Sequence, residues 1–192
     1  MSEGLIYDMF DPTENTYRED IPSLPYSCER YIACDYGTTN PTVFLDIYDN
    51  GELIRIDREY RWDSRKQRKQ KTDQQYADDF MEFMGDIPAT VLVDPSAASF
   101  IVALRQRGVY VREADNEVLD GIRKTGALLA RREIRIHERC TGLIDELGTY
   151  LWDEKAALRG EERPVKQQDH GPDALRYFVN YLPDWRFESV QT

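Results

Sequence analysis

Tyr31-Ile-Ala-Cys-Asp35-Tyr-Gly-Thr-Thr-Asn-Pro41 sets an apolar run, long enough for a buried strand, directly against an acid and a glycine-containing turn. A second apolar run, Thr42-Val-Phe-Leu-Asp-Ile-Tyr48, follows at once and reads as its hairpin partner. An unpaired charge at the end of a buried strand is costly, so Asp35 needs a chemical reason to be there. Neither a cap nor a turn supplies one after Ile-Ala-Cys.

The same pattern recurs at Thr90-Val-Leu-Val-Asp94-Pro-Ser96, and Asp169-His170-Gly-Pro-Asp173-Ala-Leu-Arg-Tyr177 opens a helix with more acids. Three carboxylates at element ends, far apart in sequence, suit a divalent cation, because hard cations take oxygen ligands. His170 and Asp173 stand at i and i+3, on one face of the helix start. His170 is therefore a candidate ligand, or a group that orients water and takes up a proton. Blander readings exist for the other acids taken alone. Asp94 can cap the helix that follows it, Asp169 reads as the cap of the last helix rather than a ligand, and Asp173 suits the positive end of a helix dipole.

Outward from these points the chain alternates. Residues 1–30 are acidic and turn-rich, with Pro12, Pro22 and Pro25, and read as an extended lead-in or linker. Strands are expected at 31–35, 42–49 and 52–60, the last two joined at Asn50-Gly51, a good hairpin signal. Thr72 should cap a helix running to about 84, with Tyr76, Phe80, Phe83 and Met84 on one face. A strand at 90–94, a helix from Ser96 to about 106 and a short parallel strand at 108–111 follow. Helices are expected at 116–130 and 139–151, with a short strand at 134–136 between them. The charged segment 153–168 reads as a loop or hairpin, and the last helix starts near Pro172, a good first-turn residue. The result is an α/β domain over 31–183, a mixed central sheet with helices on both faces, followed by a tail at 184–192. Asp35 and Asp94 become neighbours if their strands pair, which is the architecture of the ribonuclease H-like fold.

Composition narrows the classes. No apolar run approaches the ~20 residues that cross a membrane, and the start has no basic-then-apolar leader, so a cytoplasmic protein is expected. Three cysteines without a CxxC pair argue for reduced thiols rather than disulfides or a cysteine zinc site. The net charge of −11 argues against a simple basic DNA-binding module but not against a nuclease, where local patches outweigh totals.

The motifs together, Asp35-Tyr-Gly with Asn40-Pro41, Val93-Asp94-Pro-Ser96, Asn116 through Asp120-Gly-Ile122, and Asp169 through Tyr177, resemble the C-terminal nuclease domain of tailed-bacteriophage terminase large subunits. The resemblance spans about 31–182, and its last motif is the most specific. It implies a metal-dependent endodeoxyribonuclease that cuts concatemeric viral DNA during packaging. Asp35, Asp94 and Asp173 match the family's catalytic acids, and His170 matches a position that approaches the metal in some members. It implies two divalent cations, Mg²⁺ or Mn²⁺, roughly 3.5–4 Å apart, one activating water and the other stabilising the leaving oxygen. Asp35 is the expected bridging ligand, with Asp94 and Asp173 completing one ion each.

Partners implied are double-stranded DNA, a packaging ATPase domain, a small terminase subunit and a portal protein, all in the host cytoplasm. No GxxxxGK[ST] phosphate loop is present, so the motor is expected elsewhere in a longer chain, with the isolated domain a monomer. Arg65, Lys66, Arg68, Lys69, Lys71, Arg123 and Lys124, with Arg131 and Arg132, are candidates for gripping the DNA backbone through sequence-independent, salt-sensitive contacts. The segment 153–168 is a candidate gate beside the site. Arg176 and Tyr177 are expected to pack or pair inside the domain, His137 to lie at the surface, and Asp78-Asp79 and Glu161-Glu162 to form solvated faces. The competing readings are an actin- or heat-shock-type ATP-binding domain, on the Gly37-Thr-Thr turn, and a related resolvase or transposase. The first needs two large lobes and a second glycine-rich phosphate turn.

Overall fold

Among the residues the structure describes, seven strands form one sheet, ordered by chain position first, seventh, fourth, third, second, fifth, sixth. The structure is a computed structural model and describes residues 4–20 and 28–188. In chain order the elements are β1 (Thr16–Tyr17), β2 (Glu29–Asp35), β3 (Thr42–Asp49), β4 (Ile54–Trp62), α1 (Ser64–Gln67), α2 (Asp73–Met84), β5 (Thr90–Val93), α3 (Ala98–Gln106) and β6 (Val111–Glu113). Then come α4 (Leu119–Ala130), β7 (Ile134–His137), α5 (Thr141–Thr149), α6 (Glu154–Ala157), α7 (His170–Tyr181) and a 3-10 turn at Asp184–Arg186. Strands β2, β3 and β4 are antiparallel neighbours, while β5 runs parallel to β2 and β7 parallel to β4. This is the expected mixed sheet of the ribonuclease H-like kind.

Side chains alternate across each strand, so each face has its own core. Ile32 and Cys34 of β2, with Val91 and Val93 of β5, pack under α2 and α3. Tyr31, Ala33 and Leu92 pack on the other side with Ala174, Leu175 and Phe178 of α7 and the apolar residues of α4 and α5. The helix α2 begins where expected: Thr72 accepts a bond from Gln75 N at 3.2 Å while Gln75 accepts one from Thr72 N at 2.9 Å, a capping box. The β3–β4 turn places Gly51 at φ 91, a conformation glycine adopts without strain.

Several expectations are corrected. Residues 4–20 are no extended lead-in: Ile6 and Tyr7 are core residues, and Thr16–Tyr17 pairs with β7 at the sheet edge. His137 is buried rather than at the surface, because β1 covers the end of β7 and Tyr17 meets the imidazole edge-on, ring centroids 5.0 Å apart. The short parallel strand lies at Val111–Glu113 rather than 108–111, and 153–168 contains a helical turn, α6, closed by a bridge between Trp152 and Pro164. The turns expected at Pro22 and Pro25 and the tail beyond residue 188 lie outside the described residues. Among the described residues no helix is long and apolar enough to cross a membrane.

Candidate active site

Cys34 pairs with Val93, so the next residues, Asp35 and Asp94, leave two adjacent parallel strands side by side. By alternation both acids face the side covered by α7. That helix brings His170, Asp173 and Tyr177 over the strand ends. His170 Nδ1 lies 2.9 Å from Asp35 Oδ2, and the Tyr177 hydroxyl donates to Asp35 Oδ1 at 3.3 Å. Asp173 accepts from Arg176 Nη2 at 2.8 Å, and the same guanidinium donates to the carbonyls of Asn116 and Glu117. Arg176 and Tyr177 thus pair inside the domain, as expected, but their partners are the acids of the site.

Asp35, Asp169, His170 and Asp173 line one cavity of about 1190 Å³, with Tyr36, Gly37 and Asn40 of the β2–β3 turn on its wall. Arg65 and Lys66 of α1, Arg61 of β4 and Lys166 line it too. Asp94 is not on this lining. It accepts from Ser96 N at 2.7 Å and from Asn116 at 3.4 Å, and the helix after it, α3, takes Ala97 rather than Asp94 as its cap residue.

The surroundings shift these carboxyls in different directions. Burial pushes Asp35 above the ordinary carboxyl value, and the charges of Asp173 and Asp169 add to that push against the pull of His170. Asp169 is likewise raised by burial and by Asp173. Partial burial works to raise Asp94, but its bonds to Ser96 and Asn116 help to outweigh it and leave the carboxyl below the ordinary value. Burial pulls His170 down, but the hydrogen bond and charge of Asp35 overcome it and leave the imidazole above 6.5.

Asp169 occupies the N-cap position of α7, yet its side chain makes no capping bond. Glu146 of α5 caps instead, accepting from His170 N at 3.0 Å and Gly171 N at 3.4 Å. Asp169 is therefore a fourth acid of the site that the cap reading hides, although its place in the last motif could have suggested it. No motif marks Glu146; only packing places it.

The basic residues divide. Arg65 and Lys66 are exposed on the cavity rim, with Arg68 and Lys69 exposed just beyond. Lys71 pairs with Asp79 and sits 3.9 Å over the Trp62 ring. Asp79 is thus half-buried and paired rather than solvated, and Asp78 pairs with Arg107 at 2.6 Å. Arg123 and Lys124 lie on α4, outside the cavity lining, and pair with Asp120. Arg131 and Arg132 donate to main-chain carbonyls of Arg186 and Met9.

Does this site fit a divalent cation? Among the described residues no three His, Cys, Asp or Glu side chains already converge as a ligand set. The donor chemistry nevertheless fits. The carboxylates of Asp35, Asp169 and Asp173 and a single imidazole share one water-accessible cavity, an excess of oxygen donors and negative charge that hard cations satisfy.

Fold and site together define an α/β domain of the ribonuclease H-like class, with an acid cluster at the carboxyl ends of two central strands. Within that class, the resemblance to phage large-terminase nuclease domains holds. The chain is 48% identical to the large terminase of a thermophilic bacteriophage, with a TM-score of 0.87 over 93% of this chain and 46% of that one. It thus spans about half the length of that protein. The P22 large terminase nuclease domain matches with a TM-score of 0.75 at 15% identity, over 93% of this chain and 92% of that one. The nuclease of the large terminase from thermophilic phage G20c, solved with bound magnesium, matches at 0.71 and 12% over 94% and 99%. At those identities the last two bear on the fold alone. No family model matches the sequence. A local likeness to valine–tRNA ligase of Haloarcula marismortui, 31% over 71 residues, covers 35% of this chain and 8% of the ligase, too little to define a family.

Proposed function

We propose that this chain is the nuclease domain of a phage large terminase, a divalent-metal-dependent endodeoxyribonuclease that cuts concatemeric DNA during packaging. One observation carries the reading: Asp35, at the end of a central strand, shares a cavity with Asp169, His170 and Asp173 and with a basic rim of Arg65, Lys66 and Lys166. The G20c nuclease, which shares this fold, was solved with magnesium and also with cobalt.

Asp35 and Asp173 are the residues to hold the cations, with Asp94, Asp169 and His170 around them. Bound there, two such ions would act as Lewis acids on the phosphate and its leaving oxygen. The remaining work falls to the chain. Arg65, Lys66 and Lys166 attract and seat the phosphate backbone without reading bases. Tyr177 and Arg176 hold the Asp35 and Asp173 carboxylates at fixed positions, which spares reorganisation when charge develops. His170, bonded to Asp35, gives or takes a proton at the cavity wall.

Likeness to a large terminase solved with ADP supports a packaging ATPase elsewhere in a longer protein. A small terminase subunit, a portal protein, a location in the host cytoplasm and a monomeric isolated domain complete the proposal. Nicking and linearisation of supercoiled plasmid, with EDTA, Mg²⁺ and Mn²⁺ in parallel, test it. Cleavage should require metal and vanish in Asp35→Asn; cutting in EDTA or undiminished cutting by the variant would overturn the reading.

A further inference from the structure

The guanidinium of Arg61 is threaded between the first turns of α5 and α7. A Cβ on Gly142 would stand 2.7 Å from Arg61 Cζ and 2.8 Å from Nη2, and one on Gly171 would stand 3.2 Å from Nη2. Glycine is therefore what lets the arginine lie against both helix starts.

Helix N-termini ordinarily repel a cation. Two buried carboxylates reverse the local field. Glu59 accepts from Gly142 N at 2.6 Å and Leu143 N at 3.1 Å, and Glu146 accepts from the main-chain nitrogens of His170 and Gly171. Arg61 pairs with both, at 3.4 Å to Glu59 and in direct contact with Glu146. Glu146 thus fixes the main-chain position of His170 and does the capping that Asp169 does not.

We propose that Glu146, held by Arg61, is a positioning residue for the candidate active site. It sets the first turn of α7 so that the His170 ring meets Asp35 and leaves Asp169 and Asp173 on the same cavity. The metal half of this inference rests on the nuclease reading; the His170–Asp35 half does not. Residues of this kind, which orient metal ligands without touching the metal, typically contribute about 10–100-fold to affinity or activity.

Two variants test it: Glu146→Ala, and Glu146→Asp, which keeps the charge but withdraws the carboxylate by one methylene. The chain has two histidines, so the imidazole ¹⁵N spectrum in EDTA contains two rings. His137, bonded to Arg18 O at 3.0 Å toward the β1 edge of the sheet, is the internal control. Both variants should move the His170 Nδ1 resonance toward that of a ring without its carboxylate partner, leave His137 in place, and weaken Mn²⁺ binding by calorimetry, about 10–100-fold for Ala and less for Asp. An unmoved His170 resonance with unchanged Mn²⁺ affinity, in either variant that folds, overturns the proposal. A wild-type protein that neither binds Mn²⁺ nor cleaves removes the nuclease reading, while the His170 resonance still decides the positioning.

Discussion

His170 Nδ1 and Asp35 Oδ2 lie 2.9 Å apart across 135 positions of sequence, joining the start of α7 to the end of β2. The pairing raises the imidazole pKa above 6.5, while burial keeps the carboxyl above 3.8 despite it. A histidine with a raised folded-state pKa contributes stability that is fully present below its unfolded pKa and is lost as pH rises through the folded one. A carboxyl raised by burial works in the same direction, since the folded state holds its proton more tightly. Metal-free protein should therefore melt at progressively lower temperature as pH rises above 6.5, and His170→Asn should flatten that stretch of the profile. Melts in EDTA across the pH series measure both; an equal slope in the variant would sink the assignment.

The basic rim makes a second prediction. Arg65 and Lys66 line the cavity and are exposed, whereas Arg123 and Lys124 sit on α4 paired with Asp120, away from its lining. For duplex DNA, each phosphate the protein no longer neutralises should lower the slope of log affinity against log salt by about 0.9. Arg65→Ala and Lys66→Ala should do so, and Arg123→Ala should leave the slope unchanged. Anisotropy titrations with a DNA duplex in EDTA, over a range of salt, read the slope directly. A drop for Arg123→Ala and none for Arg65→Ala would move the DNA path to the other face.

Local signals carry much of this structure. Thr72 with Gln75 and the spacing of Tyr76 and Phe80 mark α2 because capping and periodicity act within one helix. Asp35 stands out because an apolar strand gives an acid no local excuse. Features set by distant packing are silent. A two-residue strand, Thr16–Tyr17, has no periodicity to read, and the burial of His137 depends on it. Asp169 reads as a cap because aspartate favours that position; only the fold reveals that Glu146, from another helix, takes those bonds. The shift of β6 has a similar cause. Val109 is buried in the turn before the strand, so the apolar run starts earlier than the pairing does.

Behind the acid cluster, the Tyr150 hydroxyl is buried without a hydrogen-bond partner among the described residues, and its ring packs 6.0 Å from that of Tyr7. Burial, with the charges of Asp173 and Asp169, pushes its pKa far up, so it stays neutral. An unsatisfied buried hydroxyl costs about 1–3 kcal/mol. Tyr150→Phe should thus be neutral or stabilising by up to about 1 kcal/mol, with cleavage retained. Chemical denaturation measures it; a loss of stability would reveal a bonded partner for the hydroxyl.

The two central acids should part company when neutralised, although both substitutions should abolish cleavage. Asp35 is a largely buried carboxylate near Asp169 and Asp173, hydrogen-bonded to the His170 ring at 2.9 Å. Asp35→Asn removes repulsion and a desolvated charge, so the metal-free protein should become more stable. Asp173 is different: it is buried in a 2.8 Å pair with Arg176, whose side chain is 4% exposed and whose other bonds tie down the Asn116–Glu117 carbonyls. Asp173→Asn keeps an acceptor but strands the guanidinium charge, and breaking a buried pair costs roughly 3–5 kcal/mol. The loss should approach the lower end of that range. Denaturant midpoints of the two variants in EDTA, compared with wild type, should move in opposite directions. Destabilisation by Asp35→Asn equal to that by Asp173→Asn would mean that Asp35 is held by the fold as a structural ion pair with His170, and not strained for a cation.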